Sequence, residues 1–290
     1  MAISQSSLGI ELRQDRIVVS HLKKLFKQIR VVRSDVLPLP SAKAKEESEI
    51  EIINVLQRHL NGNNFPRDNV ILALPRERAL VKQVEVPAAA KENLRKVLEY
   101  ELAKHIPFAP EEALFDFQVL EETPTVLRIL LVVVKKEDVS RWLDLFRRIG
   151  IRPMAIEIAS TASTNLFYYD EALSEAPAQV LIEVGERFFE LLFFEKGEFK
   201  ERAHFLFRGE AERDREIAEA YRLARLKGLG VTDGKGDFLV CGDSTDEALI
   251  EKLKETLSDR IKPVQSFKKI ESPNSGQRVG EYYASIGLAL

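Results

Sequence analysis

The chain has a single cysteine, Cys241, in 290 residues. One thiol excludes an internal disulfide and suits a reducing compartment. Histidine is also scarce. His21, His59, His105 and His204 share no ligand spacing, so no metal cluster is expected, and each reads as a partly exposed surface residue. Long apolar runs are missing: the longest, residues 129–134, is far short of the roughly 20 residues that span a bilayer. The start, MAISQSSLGIELRQDR, lacks the positive segment and apolar run of a secretory leader. The expectation is a soluble chain, with a membrane segment after Leu290 of a longer parent left open. Neither charge sign dominates. A net charge of −3 and a pI near 6.0 provide no basic field for nucleic acid. The sequence contains no G-x-x-x-x-G-K-[ST] loop, no G-x-G-x-x-G and no G-x-S-x-G elbow. What remains is ordinary globular material: 45% hydrophobic residues, in a length that fits one large domain or two medium ones.

One stretch stands out. Residues 179–202 read QVLIEVGERFFELLFFEKGEFKER. Short, aromatic-rich apolar runs alternate with turn signals at Gly185-Glu186-Arg187 and Lys196-Gly197, which predicts strand–turn–strand–turn–strand. The pattern recurs in residues 8–30, LGIELRQDRIVVSHLKKLFKQIR. With Glu11 set against Glu183, the breaks of the two stretches coincide. Each first strand carries one acidic residue, which is costly inside a buried strand unless it is paired or terminal. Any two meanders look alike at this level. The matching acids and breaks suggest a duplicated α/β fold with a cleft between its halves.

Between and after the meanders, periodicity predicts further elements. Residues 41–48 read as a loop, 49–60 as a helix, and 69–74 and 79–86 as strands ended by Pro75 and Pro87. A strongly amphipathic helix is predicted over 91–106, strands over 115–121 and 126–134, and a helix over 136–149 ending at Gly150. A strand over 151–158, a helix over 160–169 and a linker over 170–177 follow. The second half reads as a helix over 210–226, a glycine-rich turn over 228–236, a strand over 237–241 and a helix over 246–257. A short strand over 264–266, a loop over 272–277 and a final helix over 279–290 complete it. Cys241 ends an apolar strand and reads as a buried small hydrophobe rather than a nucleophile. Trp142 reads as core. Glu11 and Glu183 form the one carboxylate pair that the duplication suggests. They are either acid–base partners, or relics, or binders of a backbone amine or an arginine.

Residues 72–120 carry a longer signature. Pro75 and Pro87 end two strands; Glu101, Ile106-Pro107-Phe108, Glu111-Glu112 and Asp116-Phe117 follow in order. This segment resembles PilM-type pilus assembly proteins and the cytoplasmic module of GspL-type secretion proteins. Leu8-Gly9-Ile10-Glu11 looks like the family's opening strand, and the segment from Ala284 to Leu290 like its closing helix, so the resemblance spans nearly the whole chain. It implies the duplicated actin-like ATPase (ribonuclease H-like) α/β fold, with a first half over 1–170, an inserted small subdomain over about 87–134 and a second half over 171–290. The short segment 209–236 implies a reduced fourth subdomain.

The resemblance also assigns nucleotide positions, and several depart from the pattern. Glu11 keeps the acid of the first phosphate hairpin, but Arg13 stands where a glycine would be. Glu183 and Gly185 remain in the second hairpin, while Arg187, Phe188 and Phe189 replace small residues. The adenosine loop reads Cys241-Gly242-Asp243-Ser244, with Asp243 as an anion near the base. Small residues let backbone amides approach phosphate closely, and two phenylalanines would fill that space. Glu11, Arg13, Glu183, Gly185, Gly242 and Asp243 are therefore expected to be vestigial. The implied protein is a pseudo-ATPase without cofactor.

Its implied role is a non-catalytic cytoplasmic scaffold, peripheral to or tethered at the inner membrane. It would link a membrane-anchored platform protein, PilN-like or GspM-like, to a GspE-like secretion or pilus motor ATPase, and the resemblance also allows a homodimer. The alternative is an ATP-binding, PilM-type switch. A sugar or acetate kinase would need an intact phosphate site and a lid. In pilus-type relatives a partner peptide docks between the first-half core and the inserted subdomain. The matching candidates are Val81 and Gln83 on the strand 79–86, and Arg95 and Lys96 on the helix 91–106.

Overall fold

The structure is a computed structural model. It describes residues 4–13, 15–39, 45–63, 65–170, 178–226, 236–243, 245, 247–257, 259–273 and 279–290. The first meander is β1 (Ser4–Leu12), β2 (Arg16–Leu25) and β3 (Gln28–Pro38), joined antiparallel. Helix α1 (Lys45–Gly62) leads to β4 (Val70–Leu74), which lies parallel to β1. After an inserted unit come α3 (Lys136–Arg148), β8 (Ala155–Ile158) parallel to β4, and α4 (Ala159–Asp170).

The second meander is β9 (Ala178–Val184), β10 (Phe188–Glu195) and β11 (Glu198–Leu206). It is followed by α5 (Glu210–Leu226), β12 (Asp237–Gly242), α6 (Glu247–Thr256) and β13 (Ile261–Pro263). The two sheets show the duplication directly. Their strand orders are β14-β3-β2-β1-β4-β8 and β11-β10-β9-β12-β13. Without β14 (Ile270–Glu271), both place the third, second, first, fourth and fifth strands side by side. Strands β4 and β9 are buried along their whole length, as expected of strands covered on both faces.

The copies are sewn together by a shared apolar cluster that includes Leu22, Phe167, Leu181, Phe194, Cys241 and Ile286. The closing helix α7 (Tyr283–Ala289) packs on β1 and α4 through two close approaches. A Cβ at Gly9 would lie 2.0 Å from the Ser285 carbonyl oxygen, and one at Gly287 would lie 2.1 Å from that of Ala162. Glycine is the residue that permits such backbone contact.

The inserted unit contains β5 (Ala79–Pro87), α2 (Leu94–Glu101), β6 (Ala113–Glu122) and β7 (Val126–Lys135), with sheet order β5-β7-β6. Alternation along β7 sorts its residues. Leu127, Ile129, Leu131 and Val133 pack in one cluster with Leu94, Leu98 and Leu102 of the helical face. Leu130, Val132 and Val134 turn to the other face.

Several expected elements shift. The predicted helix over 91–106 is α-helical only over Leu94–Glu101, with 3₁₀ turns on either side, because Pro87 and Pro107 confine it. Residues 45–48 belong to α1 rather than to a loop. The expected strand 264–266 is displaced to Ile261–Pro263, which pairs with β12. The first turn of the predicted final helix is 3₁₀. Trp142 and Cys241 are buried as read. His21 is not a surface residue: it is 6% exposed and hydrogen-bonded to the Ser6 hydroxyl at 2.6 Å. The predicted linker and the glycine-rich turn lie mostly outside the described residues.

Candidate functional site

Register places Glu183 of β9 directly opposite Glu190 of β10. Both carboxylates are buried, at 1% and 0% exposure. Like charges facing each other without water require cations. Arg76, in the 3₁₀ turn Arg76–Arg78 after β4, supplies one and is itself buried. Its Nη2 lies 2.5 Å from Glu183 Oε1, and its Nη1 pairs with Glu190 Oε2. The same Nη2 is 3.5 Å from Glu11 Oε1, across the cleft in the first copy. Ser160 donates to Glu190 Oε1 at 2.8 Å, and Ser163 donates to Glu183 Oε2 at 2.9 Å. Arg202 also pairs with Glu190, and His204 Nδ1 stands 3.6 Å from the same carboxylate. The Phe188 ring lies against the Arg76 guanidinium, 4.8 Å from its centroid.

A second guanidinium closes the network. Arg13 projects from the turn between β1 and β2. It donates to Glu11 Oε2 at 2.7 Å and to Asp243 Oδ1, and stands 3.8 Å from Glu183 Oε1. It also reaches the Glu281 backbone carbonyl at 3.4 Å. Glu11 and Glu183 thus bind arginines, one of the readings open from sequence. Burial pushes the Glu183 carboxyl up to about 7, and neighbouring Glu11 and Glu190 push the same way against the pull of Arg76 and Arg13. Burial also raises Glu190, but Arg202 and Arg76 outweigh it and hold that carboxyl well below the usual range. The Cys241 thiol is pushed up chiefly by burial, which leaves it a poor nucleophile.

Three amides of the loops around this network are spent on backbone carbonyls. Arg13 N–H donates to the Arg16 carbonyl, Gly185 N–H to that of Phe188, and Asp243 N–H to that of Val184, each at 2.9 Å. Gly242 has φ +115°, and a Cβ there would lie 2.1 Å from the Val184 oxygen. A Cβ on Gly185 would meet the Phe188 ring at 2.1 Å. Two expectations need correction. Phe188 turns to the cleft, but Phe189 is wholly buried in the second-copy core, because consecutive strand residues face opposite ways. Asp243 is not an open anion, since Arg13 neutralises it. Ser244 lies outside the described residues.

Arg76, Glu190, Arg202, Ser160 and Ser163 were not among the residues picked from sequence. One signal was present: Glu190 interrupts the run FFELLFF as Glu183 interrupts its own strand. Among the described residues no group of three or more His, Cys, Asp or Glu side chains is placed to hold a metal ion.

The partner candidates lie on different surfaces. Val81 and Gln83 sit on β5, where Val81 packs against the cluster joining the two copies and Gln83 donates to the Lys200 carbonyl of β11. Arg95 and Lys96 are exposed on α2, and Arg95 bonds Asp116 at 2.6 Å and lies over the Phe115 and Phe117 rings. On the other side of β6 a groove of about 540 Å³ opens between β6 and β8. Leu114, Val132, Val134 and Ile156 form much of its wall, with Glu157 among its polar groups. Both flanking strands are sheet edges, β6 of the inserted sheet and β8 of the first-copy sheet. Burial raises the Glu157 carboxyl, partly offset by a hydrogen bond from Thr161.

The repeated sheet, the inserted unit and the cleft can now be set beside known proteins. A family profile described as "Type IV pilus assembly protein PilM" matches residues 9–221. The chain belongs to the PilM family. It is similar in fold to a solved PilM-PilN type IV pilus biogenesis complex, with TM-score 0.78, 15% identity and 97% of each chain covered. A Bacteroides thetaiotaomicron protein with an actin-like ATPase fold and unknown function gives TM-score 0.58 at 14% identity, covering 97% of this chain and 96% of that one. The cytoplasmic domain of EpsL, an inner membrane component of the Vibrio cholerae type II secretion system, gives 0.53 at 14% identity, covering 89% and 90%. These likenesses establish the actin-like ATPase fold. No curated protein matches the chain at a significant level. No helix among the described residues of this PilM-family chain is long and apolar enough to cross a membrane.

Proposed function

We propose that this PilM-family protein is a non-catalytic scaffold of a pilus or secretion assembly platform. It is held at the cytoplasmic side of an inner membrane and couples a membrane-anchored partner to the motor ATPase. The observation that carries this reading is Arg13. Its guanidinium lies between Glu11 and Asp243, at the position where the family resemblance leads one to expect the glycine of a phosphate hairpin. The residues present do not fit a nucleotide. Phosphate is cradled by free backbone amides, and the amides of Arg13, Gly185 and Asp243 are already bonded to carbonyls. The space over Gly185 holds the Phe188 ring, which offers no donor.

The platform partner is assigned to the groove between β6 and β8. Two edge strands offer unpaired backbone groups to an extended peptide, and the apolar wall accepts its alternate side chains. Glu157 in that wall suits a peptide with one basic residue. The solved relative in complex with PilN supports a PilN-like membrane protein as the source of that peptide.

The cleft is tested by thermal unfolding with increasing Mg-ATP. A ligand bound to the native state at about 100 times its Kd adds about 2.7 kcal/mol and raises the midpoint. No shift is expected. A saturable rise would overturn the scaffold reading in favour of an ATP-binding switch.

A further inference from the structure

The hairpin joining β2 and β3 ends in the sequence Lys23-Lys24-Leu25-Phe26-Lys27, and its tip has unusual chemistry. The turn is Phe26-Lys27, closed by the Leu25–Gln28 pair. Phe26 takes φ 55°, a left-handed conformation that two-residue hairpins normally assign to Asn or Gly. In the corresponding turn of the second meander, Lys196-Gly197, both residues take positive φ, 52° and 76°, and the neighbours Glu195 and Glu198 are acidic. In the first copy the position of Lys196 is held by an aromatic residue, Phe26, which is 77% exposed, with Leu25 44% exposed beside it.

The exposed charge around the tip is predominantly positive. Lys23, Lys24, Lys27 and Arg30 are exposed, and none of the three lysines has a carboxylate partner among the described residues. Lys268 and Lys269 are exposed just before β14, which runs parallel to β3 on its outer side, and Lys269 is engaged by the Tyr169 carbonyl at 2.7 Å. Two acids lie on this side: Glu271 opposite Arg30 in register, and the buried Asp170, which accepts from the Lys268 and Lys269 amides.

We propose that this tip is a membrane-surface contact that recognises anionic lipid. Phe26 and Leu25 enter the boundary between headgroups and acyl chains, and Lys23, Lys24 and Lys27 lie at the phosphates with their stems along the apolar layer. A protein partner is the poorer occupant. A specific interface buries about 800 Å² on each side, and a narrow two-residue wedge ringed by like charges has no such face. The placement agrees. Register puts Leu25 opposite Ser4, at the start of β1, whereas the cleft residues Glu11 and Arg13 lie at its far end. Leu74 and Ile158 of the groove end β4 and β8, which run parallel to β1. The tip therefore meets a bilayer while groove and cleft stay clear of it. This contact goes beyond the scaffold reading and does not depend on the identity of the groove's occupant.

The test is co-sedimentation of the full chain with vesicles of phosphatidylcholine, pure or with roughly one-third phosphatidylglycerol. Sedimentation is expected with the anionic vesicles only, and weakened when salt rises from about 0.1 to about 0.5 M. Lys24→Glu combined with Lys27→Glu should lower the vesicle affinity at least roughly tenfold. Phe26→Gly should also weaken binding, yet keep or raise the unfolding midpoint, because glycine relieves the positive φ. Val132→Asp in the groove should sediment like wild type. Wild type remaining in the supernatant with anionic vesicles would overturn the proposal. So would undiminished binding by the Phe26 or the lysine variant, or loss of binding on changing Val132.

Discussion

Glu11 and Glu183, equivalent positions in two copies of one meander, share a guanidinium: Arg76 Nη2 lies 3.5 Å from the first and 2.5 Å from the second. Arg13 bridges the same two carboxylates from the other side, at 2.7 and 3.8 Å. The cleft between the copies is thus closed by ion pairs that are almost wholly shielded from water. Removing one member of such a network leaves its partners charged and buried. Arg76→Ala is expected to cost about 3–5 kcal/mol, far more than loss of an exposed pair such as Lys91–Glu122. Denaturant titration of the two variants checks the ratio. Equal, small losses would mean that the network contributes nothing to holding the copies together.

The pH dependence of stability carries a sign set by Glu183. Its folded carboxyl is raised to about 7 from a usual value of 4.5. Between those pH values the folded state holds a proton that the unfolded state has released, so this group's contribution to stability falls as pH rises and is constant above about 7. Glu157 contributes in the same direction. Glu190, held low, contributes stability that is lost progressively as pH falls below the usual carboxylate value of 4.5. Glu183→Gln should therefore flatten the decline of the unfolding midpoint between about pH 4.5 and 7 relative to wild type. An unchanged profile would show that Glu183 is ionised throughout.

The groove prediction separates binding from folding. Val132→Asp places a charge in the apolar wall and should weaken capture of a PilN-like tail peptide by about 2 kcal/mol or more, with the fold retained. Val81→Asp should instead lower stability, since Val81 packs against the shared core. Arg95→Glu should have the smaller effect on binding, because Arg95 is exposed and bonded to Asp116 at 2.6 Å. Calorimetry with the peptide and thermal unfolding, run on all three, distinguishes these outcomes.

The closing helix offers a steric test. Gly9→Ala would drive a methyl carbon to 2.0 Å from the Ser285 carbonyl oxygen, which is backbone and cannot swing away. A loss of about 3 kcal/mol is expected, at the upper end of ordinary overpacking. Gly62→Ala, where nothing stands within 4 Å, should be close to neutral.

The duplicated meander was legible because it is a local pattern: apolar runs of strand length, turn residues at matching intervals, and one acid in each first strand. The ordered prolines, the Ile106-Pro107-Phe108 step and the closing small-residue helix marked the family for the same reason. Glu11, Glu183, Arg13 and Asp243 could be picked as cleft residues from their positions in those motifs. Their pairing could not. Arg76 reaches Glu183 and Glu190 from a turn more than a hundred positions away in the chain, and only the folded sheets bring its two nitrogens between the carboxylates. The groove was likewise hidden. Alternation along β7 assigns Leu130, Val132 and Val134 to one face, but whether that face meets solvent or protein depends on where β8 and α4 lie. Even the neighbours Phe188 and Phe189 look equivalent in sequence; the pleat of β10 sends one to the cleft and the other into the core. Periodicity along the chain determines which side chains share a face, and the tertiary packing of distant elements decides what that face meets.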